Sequence, residues 1–319
     1  MPRPDFPKNI FEFQTRFSSE EECLKFMIES RWPDGYHCPR CGYAEYYWKK
    51  ERKLLQCKQC GYQASVTAGT VMHRSKMPLR AWFNAAYLVT TYTPGMSALQ
   101  FQRQLGESSY KTAFNMLHKL RAGMVREGRD RLNGSVEVDE TYIGGERPGK
   151  TGRGAAGKVI VAGAVDIRGK YANRVRLRVI PNVTQYTLTN FVKDNVEEGS
   201  TVKTDEWSGY NKLPNYGYRH EIDMELIHIH RVFALLKTWL LGTHHGAVKK
   251  QHLQAYLNEY VFRFNRRETS MAAFQTVLGL GSQRLGPTYE SLYGIAKGSP
   301  LAWVHPNPKG GCKKWELTA

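Results

Sequence analysis

The chain has 319 residues, 41% apolar and 12% aromatic, and its 46 Lys and Arg against 29 Asp and Glu give a net charge of +17. That length is one large domain or two to three small ones, and that apolar fraction builds a sizeable core, which excludes wholesale disorder. The longest apolar stretches, such as 159–165, fall far short of the roughly 20 residues of a membrane span, and MPRPDFPKNIFEF carries no apolar signal segment, so a membrane protein and a secreted disulfide scaffold are both set aside. The charge says nothing about fold; it points to a polyanionic partner.

In chain order, residues 16–30 read as a short amphipathic helix capped by Ser18 or Ser19, with Glu20 to Glu22 in its first turn. Six cysteines follow an uneven pattern. Cys23 and Cys312 stand alone, while Cys38, Cys41, Cys57 and Cys60 form two CxxC pairs with 15 residues between Cys41 and Cys57. This is tetrathiolate spacing, and it predicts a zinc ribbon over 36–63: two knuckles, each followed by a turn glycine (Gly42, Gly61), around one Zn2+. Four cysteines leave no coordination position for water, so the zinc is structural. Free thiols of this kind belong to a reducing compartment, which predicts a cytoplasmic, nucleoid-associated protein. The stretch YYWKKERKLLQC between the knuckles is strand-like, and Arg40, Lys49, Lys50, Arg52, Lys53 and Lys58 make the ribbon basic.

Residues 79–128 have helical period. One helix ends near Pro94–Gly95; a second, capped by Ser97, and a third, capped by Ser108 or Ser109, are joined by a turn at Gly106. That spacing predicts a helix-turn-helix, with Tyr110, Lys111, Asn115 and Lys119 facing outward as a groove-reading helix requires. From Gly134 the pattern changes to strands over SVEVDETYIGG, KVIVAGAVDIRG and NRVRLRVIP, a helix capped by Thr184, a strand ending in Asp205, and two helices near 228–241 and 250–266. This is an α/β layout with a mixed sheet. The boundaries it gives are 1–75 for the first helix and ribbon, 76–133 for the helical region, 134–280 for the α/β domain and 281–319 for a Gly- and Pro-rich extension.

The segment GGERPGKT at 144–151 matches a phosphate-binding loop literally, but Gly152, Gly154 and Gly157 forbid the helix such a loop must open, and Pro148 removes an amide from the cradle. The better reading is a basic loop in which Arg147, Lys150, Arg153 and Lys158 lie against DNA phosphates. Asp139 and Asp205 both occur as strand, then Asp-Glu, in VDET and TDEW; on neighbouring strands they would share a divalent ion, with Glu140 and Glu206 directed away. Tyr256, Tyr260 and Phe264 recur every four residues as a core stripe, which leaves Arg263, Arg266 and Arg267 as DNA contacts; His244 and His245 read as a Gly-bounded loop near the DNA.

Taken together, CPRCGY…CKQCGYQASVTAGT, VEVDETYIGGERPGKTGRGAAGK, KTDEWSGY and HRVFALLKTWLLGTHHGAVKKQHLQAYLNEYVFRFNRR resemble the bacterial insertion-sequence transposases of the ISXO-type group, which join an N-terminal zinc ribbon to a ribonuclease-H-like DDE core. The resemblance spans about residues 17–280. It implies that Asp139 and Asp205 are the first two catalytic carboxylates and that His230 holds the third position, with Lys237 two helical turns on and on the same face. An imidazole there suits Mn2+ or Zn2+ better than Mg2+. Glu221, Asp223 or Glu225 are the alternative third carboxylates, and His228 reads as a packed or surface histidine. The resemblance further implies cleavage of a phosphodiester at the transposon end by activated water, attack of the freed 3′-hydroxyl on target DNA, and work as a homo-oligomer on double-stranded DNA. A domesticated, catalytically inactive DNA-binding protein and a structure-selective nuclease are the competing readings. Affinity for double-stranded DNA is expected to fall by orders of magnitude between 50 and 200 mM salt; a flat salt dependence in a filter-binding titration would mean that the positive charge serves something else.

Overall fold

A computed structural model describes residues 6–52, 54–93, 95–106, 109–126, 128–144, 158–246 and 248–293. Helix α1 (Ile10–Arg16) begins at Asn9, whose side chain accepts the Glu12 amide, and α2 (Glu20–Arg31) begins at Ser19, whose hydroxyl accepts the Glu22 amide at 3.2 Å. Strands β1 (Tyr46–Lys49), β2 (Leu54–Cys57) and β3 (Gln63–Ser65) form an antiparallel sheet in that order. Helices α3 (Leu79–Thr91), α4 (Ala98–Leu105) and α5 (Tyr110–Gly123) follow. Ser97 caps α4, Ser109 caps α5, and the turn between them places Gly106 at φ +62°, a left-handed conformation that glycine adopts without strain.

Strands β4 (Ser135–Ile143), β5 (Val159–Arg168) and β6 (Tyr171–Ile180), helix α6 (Gln185–Asn195) and strands β7 (Thr201–Thr204) and β8 (Arg219–Ile222) come next. The chain continues through α7 (Ile227–His244), α8 (Lys250–Phe264), α9 (Ser270–Gly281) and α10 (Tyr289–Tyr293). No described helix is long and apolar enough to cross a membrane. Strands β3 and β8 and helices α1, α9 and α10 are elements that sequence periodicity does not announce.

The chain divides into two compact units, one drawn from Met1–Arg126, Thr238–His245 and Asn258–Thr288, the other from Glu127–Lys237, Gly246–Leu257 and Tyr289–Ala319. In the first, α1, α3 and α9 bring Phe13, Tyr87 and Phe274 together, with Phe13 stacked on Tyr87 at 4.3 Å and edge-on to Phe274 at 5.3 Å. The buried side of the ribbon, Tyr36, Cys38, Leu55 and Cys57, joins the same apolar cluster. An ion pair lies inside it: Arg121 Nε is 2.7 Å from Glu259 Oε2, with both side chains at 1% exposure or less. A pair that deep costs desolvation, and removing either partner alone would leave a buried charge.

The second unit is built on a five-stranded sheet of order β6-β5-β4-β7-β8. The β4–β5 and β5–β6 pairs are antiparallel; β4–β7 and β7–β8 are parallel. This is the mixed sheet flanked by helices, in the ribonuclease-H-like layout, that the sequence reading gives. Strand β5 is almost continuously apolar because both of its faces are covered, whereas β4 and β7 alternate apolar residues with polar and charged ones. On one face Val136, Val138, Ala162, Ala164 and Val202 meet Leu188, Phe191 and Val192 of α6. The other face carries Glu137, Asp139 and, paired with Asp139 in register, Gly163. There Ile229 and Phe233 of α7 approach so closely that a Cβ built on Gly163 would stand 2.6 Å from the Phe233 ring. A Gly163→Ala substitution is therefore expected to destabilise the protein by about 1–3 kcal/mol through overpacking; an unchanged midpoint in urea unfolding would refute the close approach.

Candidate active site

The parallel register of β4 and β7 sets Ser135 beside Thr201, Val136 beside Val202 and Glu137 beside Lys203. Two residues further along, the same register brings Asp139 level with Asp205, which directly follows β7. Side chains alternate along a strand, so Glu137, Asp139 and Lys203 share one face of the sheet, and Asp205, just past the end of β7, is near enough for its charge to act on Asp139. Asp139 lies in the middle of β4 rather than at the end expected from the sequence, because β4 pairs with β5 as far as Ile143 whereas β7 stops at Thr204.

Asp139 and His230 are brought together: His230 Nε2 lies 3.2 Å from Asp139 Oδ2. The Asp139 carboxyl is held above the usual carboxylate range, first by burial and further by the charge of Asp205, against the Glu140 amide and His230, which favour the anion. Asp205 Oδ1 accepts the Trp207 amide at 3.0 Å. Glu140 points the other way, as the alternation predicts, and its Oε2 accepts the Tyr210 hydroxyl at 2.9 Å. Lys237 lies two turns along α7 from His230, and both side chains are exposed. Of the alternative acidic residues, Glu221 and Glu225 are exposed, and Asp223 pairs with Lys203 at 3.3 Å while accepting the Glu225 amide, which holds its carboxyl low.

Sequence reasoning misses Glu137. Its carboxylate is 3% exposed and accepts three N–H groups at the start of α7: the His228 and Ile229 amides, each at 2.8 Å, and His228 Nδ1 at 2.7 Å. The available signal is a Glu two residues before Asp139 and on its face of β4, but its partners lie 91 and 92 residues away. His228 is thus packed against the sheet.

Among the described residues, Cys38, Cys41, Cys57 and Cys60 form the one group of three or more potential metal ligands whose donor atoms converge, all within 4.8 Å. Asp139, Asp205 and His230 do not converge to that distance as a set. The Cys38–Cys60 and Cys41–Cys57 sulfurs are each 3.6 Å apart, close to the roughly 3.8 Å edge of a tetrahedron with Zn–S bonds near 2.3 Å. The two knuckles repeat one geometry: Gly42 donates to the Cys38 carbonyl at 2.9 Å and Gly61 to the Cys57 carbonyl at 3.1 Å, with φ of +77° and +70°. Burial opposes ionisation of the Cys38 thiol, but the Arg40 and Cys41 amides aimed at its sulfur bring it down to about 6. The donor set fits a structural Zn2+.

The residues expected to contact DNA are more scattered. Lys111 is exposed in the first turn of α5 and Asn115 is half-buried. Lys119 does not face outward: it is half-buried and donates to the His73 carbonyl at 2.7 Å. The Arg263 guanidinium donates to the Tyr92 and Thr93 carbonyls beyond the end of α3 and lies 3.5 Å from Glu259. Arg266 is half-buried over the Phe262 ring at 4.0 Å, and Arg267, exposed, lies over Phe264 at 4.5 Å. Arg263 and Arg266 therefore serve their own fold first, Arg263 through the carbonyls beyond α3 and Arg266 over the Phe262 ring. His244 is not on a loop; it closes α7, buried edge-on against Trp239 at 5.0 Å, and burial lowers its pKa to about 4. Tyr256 is buried and Tyr260 packs on Trp239 at 5.7 Å, as a core stripe should. Arg147, Lys150, Arg153 and the loop at 145–157 lie outside the described residues, as do 294–319.

Residues 131–265 match the family described as the ISXO2-like transposase domain, and residues 18–63 match the transposase zinc-ribbon domain. A protein of Halobacterium salinarum, described as an uncharacterized protein in transposable element ISH50, is 26% identical over 307 residues, which cover 82% of this chain and 98% of that protein. A chain from the cryoEM structure of a simian T-cell lymphotropic virus intasome in complex with PP2A regulatory subunit B56 gamma is 15% identical at a TM-score of 0.28. That match covers 54% of this chain and 66% of the other, just under two thirds, and at such a score it carries nothing about fold or function.

The full-length protein is expected to hold about one zinc ion, with Cys41→Ser and Cys57→Ser each losing most of it and lowering the melting temperature. Elemental analysis and thermal unfolding would check this; variants that keep full zinc would sink the four-cysteine assignment.

Proposed function

The chain belongs to the ISXO2-like insertion-sequence transposases, and we propose that it cuts DNA at transposon ends and joins the freed 3′-hydroxyl to target DNA, with Asp139, Asp205, His230 and Lys237 as its catalytic set. The reading rests on one juxtaposition: a carboxylate on β4 within reach of the charge of another just past the end of its parallel neighbour β7, with an imidazole from a third element 3.2 Å from the first. Two acids so placed repel each other, and the raised pKa of Asp139 records both its burial and that repulsion. Such a donor set favours a cation. Asp139 and Asp205 would hold Mg2+ or Mn2+, with His230 as third donor; when bound, the ion offsets phosphate charge and lowers the pKa of the attacking hydroxyl.

The protein's own groups do the rest. His230, with Nε2 3.2 Å from Asp139 Oδ2, favours the anion of that carboxyl against its burial. Asp205 is steadied by the Trp207 amide. Lys237, exposed on the His230 face of α7, contacts a phosphate flanking the scissile bond. Chemistry of this kind rests on positioning and charge neutralisation, and it needs no Ser or Tyr nucleophile. The substrate is double-stranded DNA, both transposon end and target, bound by a homo-oligomer that pairs two ends.

A strand-transfer assay with 3′-hydroxyl end DNA and supercoiled plasmid, in Mg2+ and in Mn2+, tests this. Asp139→Ala and Asp205→Ala are each expected to reduce joining at least about 100-fold, comparable to removing one preorganised stabilising group, while DNA binding persists. Binding without joining in either metal would instead support a domesticated DNA-binding protein.

A further inference from the structure

Helix α7 begins without a cap of its own. The residue before it, Leu226, has an apolar, buried side chain and sits at φ +38°, in the left-handed region that a leucine adopts only under constraint. The first-turn amides of a helix must still find acceptors. Those of His228 and Ile229 find them in Glu137 Oε2 at 2.8 Å, while Glu137 Oε1 takes His228 Nδ1 at 2.7 Å. The cap is therefore supplied by the sheet, from a residue about 90 positions earlier, and its negative charge lies where the helix dipole is positive.

The position of that acceptor gives it a second consequence. Glu137 and Asp139 are two residues apart on β4 and share a face. His228 and His230 are two residues apart at the start of α7. One strand thus holds the helix at Glu137 and receives its imidazole at Asp139, 3.2 Å from His230 Nε2. A sub-ångström shift of the helix start would change that contact directly.

We propose that Glu137 is a positioning residue for the transposition chemistry: by capping α7 from β4 it fixes His230 against Asp139. This rests on the reading of Asp139, Asp205 and His230 as the catalytic set. Glutamine at 137 keeps size but loses the negative charge and one of the two acceptor oxygens, so the start of α7 is held more weakly while the sheet keeps its core.

The test uses the full-length, zinc-loaded protein, with Mn2+ affinity read from the EPR signal of free Mn2+ and strand transfer measured beside it. Wild type is expected to bind Mn2+ at a site that Asp139→Ala abolishes. Glu137→Gln should weaken that site about 10- to 100-fold, the range found for groups that orient ligands from behind. His230→Ala should weaken it similarly. In the double variant, Glu137→Gln should add less than about 3-fold to His230→Ala, because groups acting through one another are not additive. Multiplicative losses, or a Glu137→Gln protein with wild-type Mn2+ affinity, would overturn the proposal. If Glu137→Gln does not fold, hydrogen exchange on the wild type decides: the His228 and Ile229 amides should be protected about 100-fold or more, and free exchange there would overturn it. A wild type that neither binds Mn2+ beside zinc nor joins DNA takes down the catalytic reading itself, and this one with it; a competent wild type matched by Glu137→Gln takes down this one alone.

Discussion

The arrangement of the α/β unit depends on one helix lying unusually close to one strand. An α-helix packed on a sheet is normally held off by side chains on both elements. Here Gly163 removes the obstacle at the position paired with Asp139, and Ile229 and Phe233 fill the space. Packing by itself would leave the helix free to slide or rotate. Glu137 removes that freedom with directional bonds to the first-turn amides. Apolar contact supplies the closeness and a buried carboxylate the register, and only both together bring an imidazole to Asp139.

The other unit solves a different problem with different means. The ribbon strands are three and four residues long, too short to bury much apolar surface. Four sulfurs drawn to zinc-binding distance replace the missing core, and the buried side of the ribbon adds to a helical cluster that includes Phe13, Phe83 and Phe274. The ribbon thus relies on its converging cysteines for shape and on apolar contact for attachment, whereas the α/β unit keeps its shape through a sheet covered on both faces.

What sequence reveals follows the range of the interaction. The cysteine knuckles are local, with fixed spacing and a required glycine, and they were readable outright. Asp139 and Asp205 were readable because strand alternation and a repeated Asp-Glu place them at comparable points. Glu137 was not, since nothing within β4 says that a helix 90 residues on will need acceptors. Helical period gave the exposed side of α5 at Lys111 but failed at Lys119, because period fixes a face and says nothing of what covers it. The four residues of β8 are too few for alternation to register, and the contact of His230 with Asp139 joins two elements that the sequence places 91 residues apart.

The charge of the chain needs the same distinction between composition and placement. A net +17 invites the inference that the basic residues form a DNA footprint. Yet Arg121 is buried against Glu259, Arg263 holds the carbonyls beyond α3, Arg174 binds the buried Asp166, and Arg178 pairs with Asp194 at 2.8 Å. These guanidiniums hold the fold, and Arg does this well because its planar fork satisfies several acceptors at once. What faces solvent near the candidate site is smaller and more specific: on α7, Arg231 next to His230 and Lys237 two turns on. Counterion release scales with phosphates contacted and not with formal charge. The salt dependence of DNA binding should therefore report a contact number well below seventeen, set by the exposed lysines and arginines that the fold leaves unengaged.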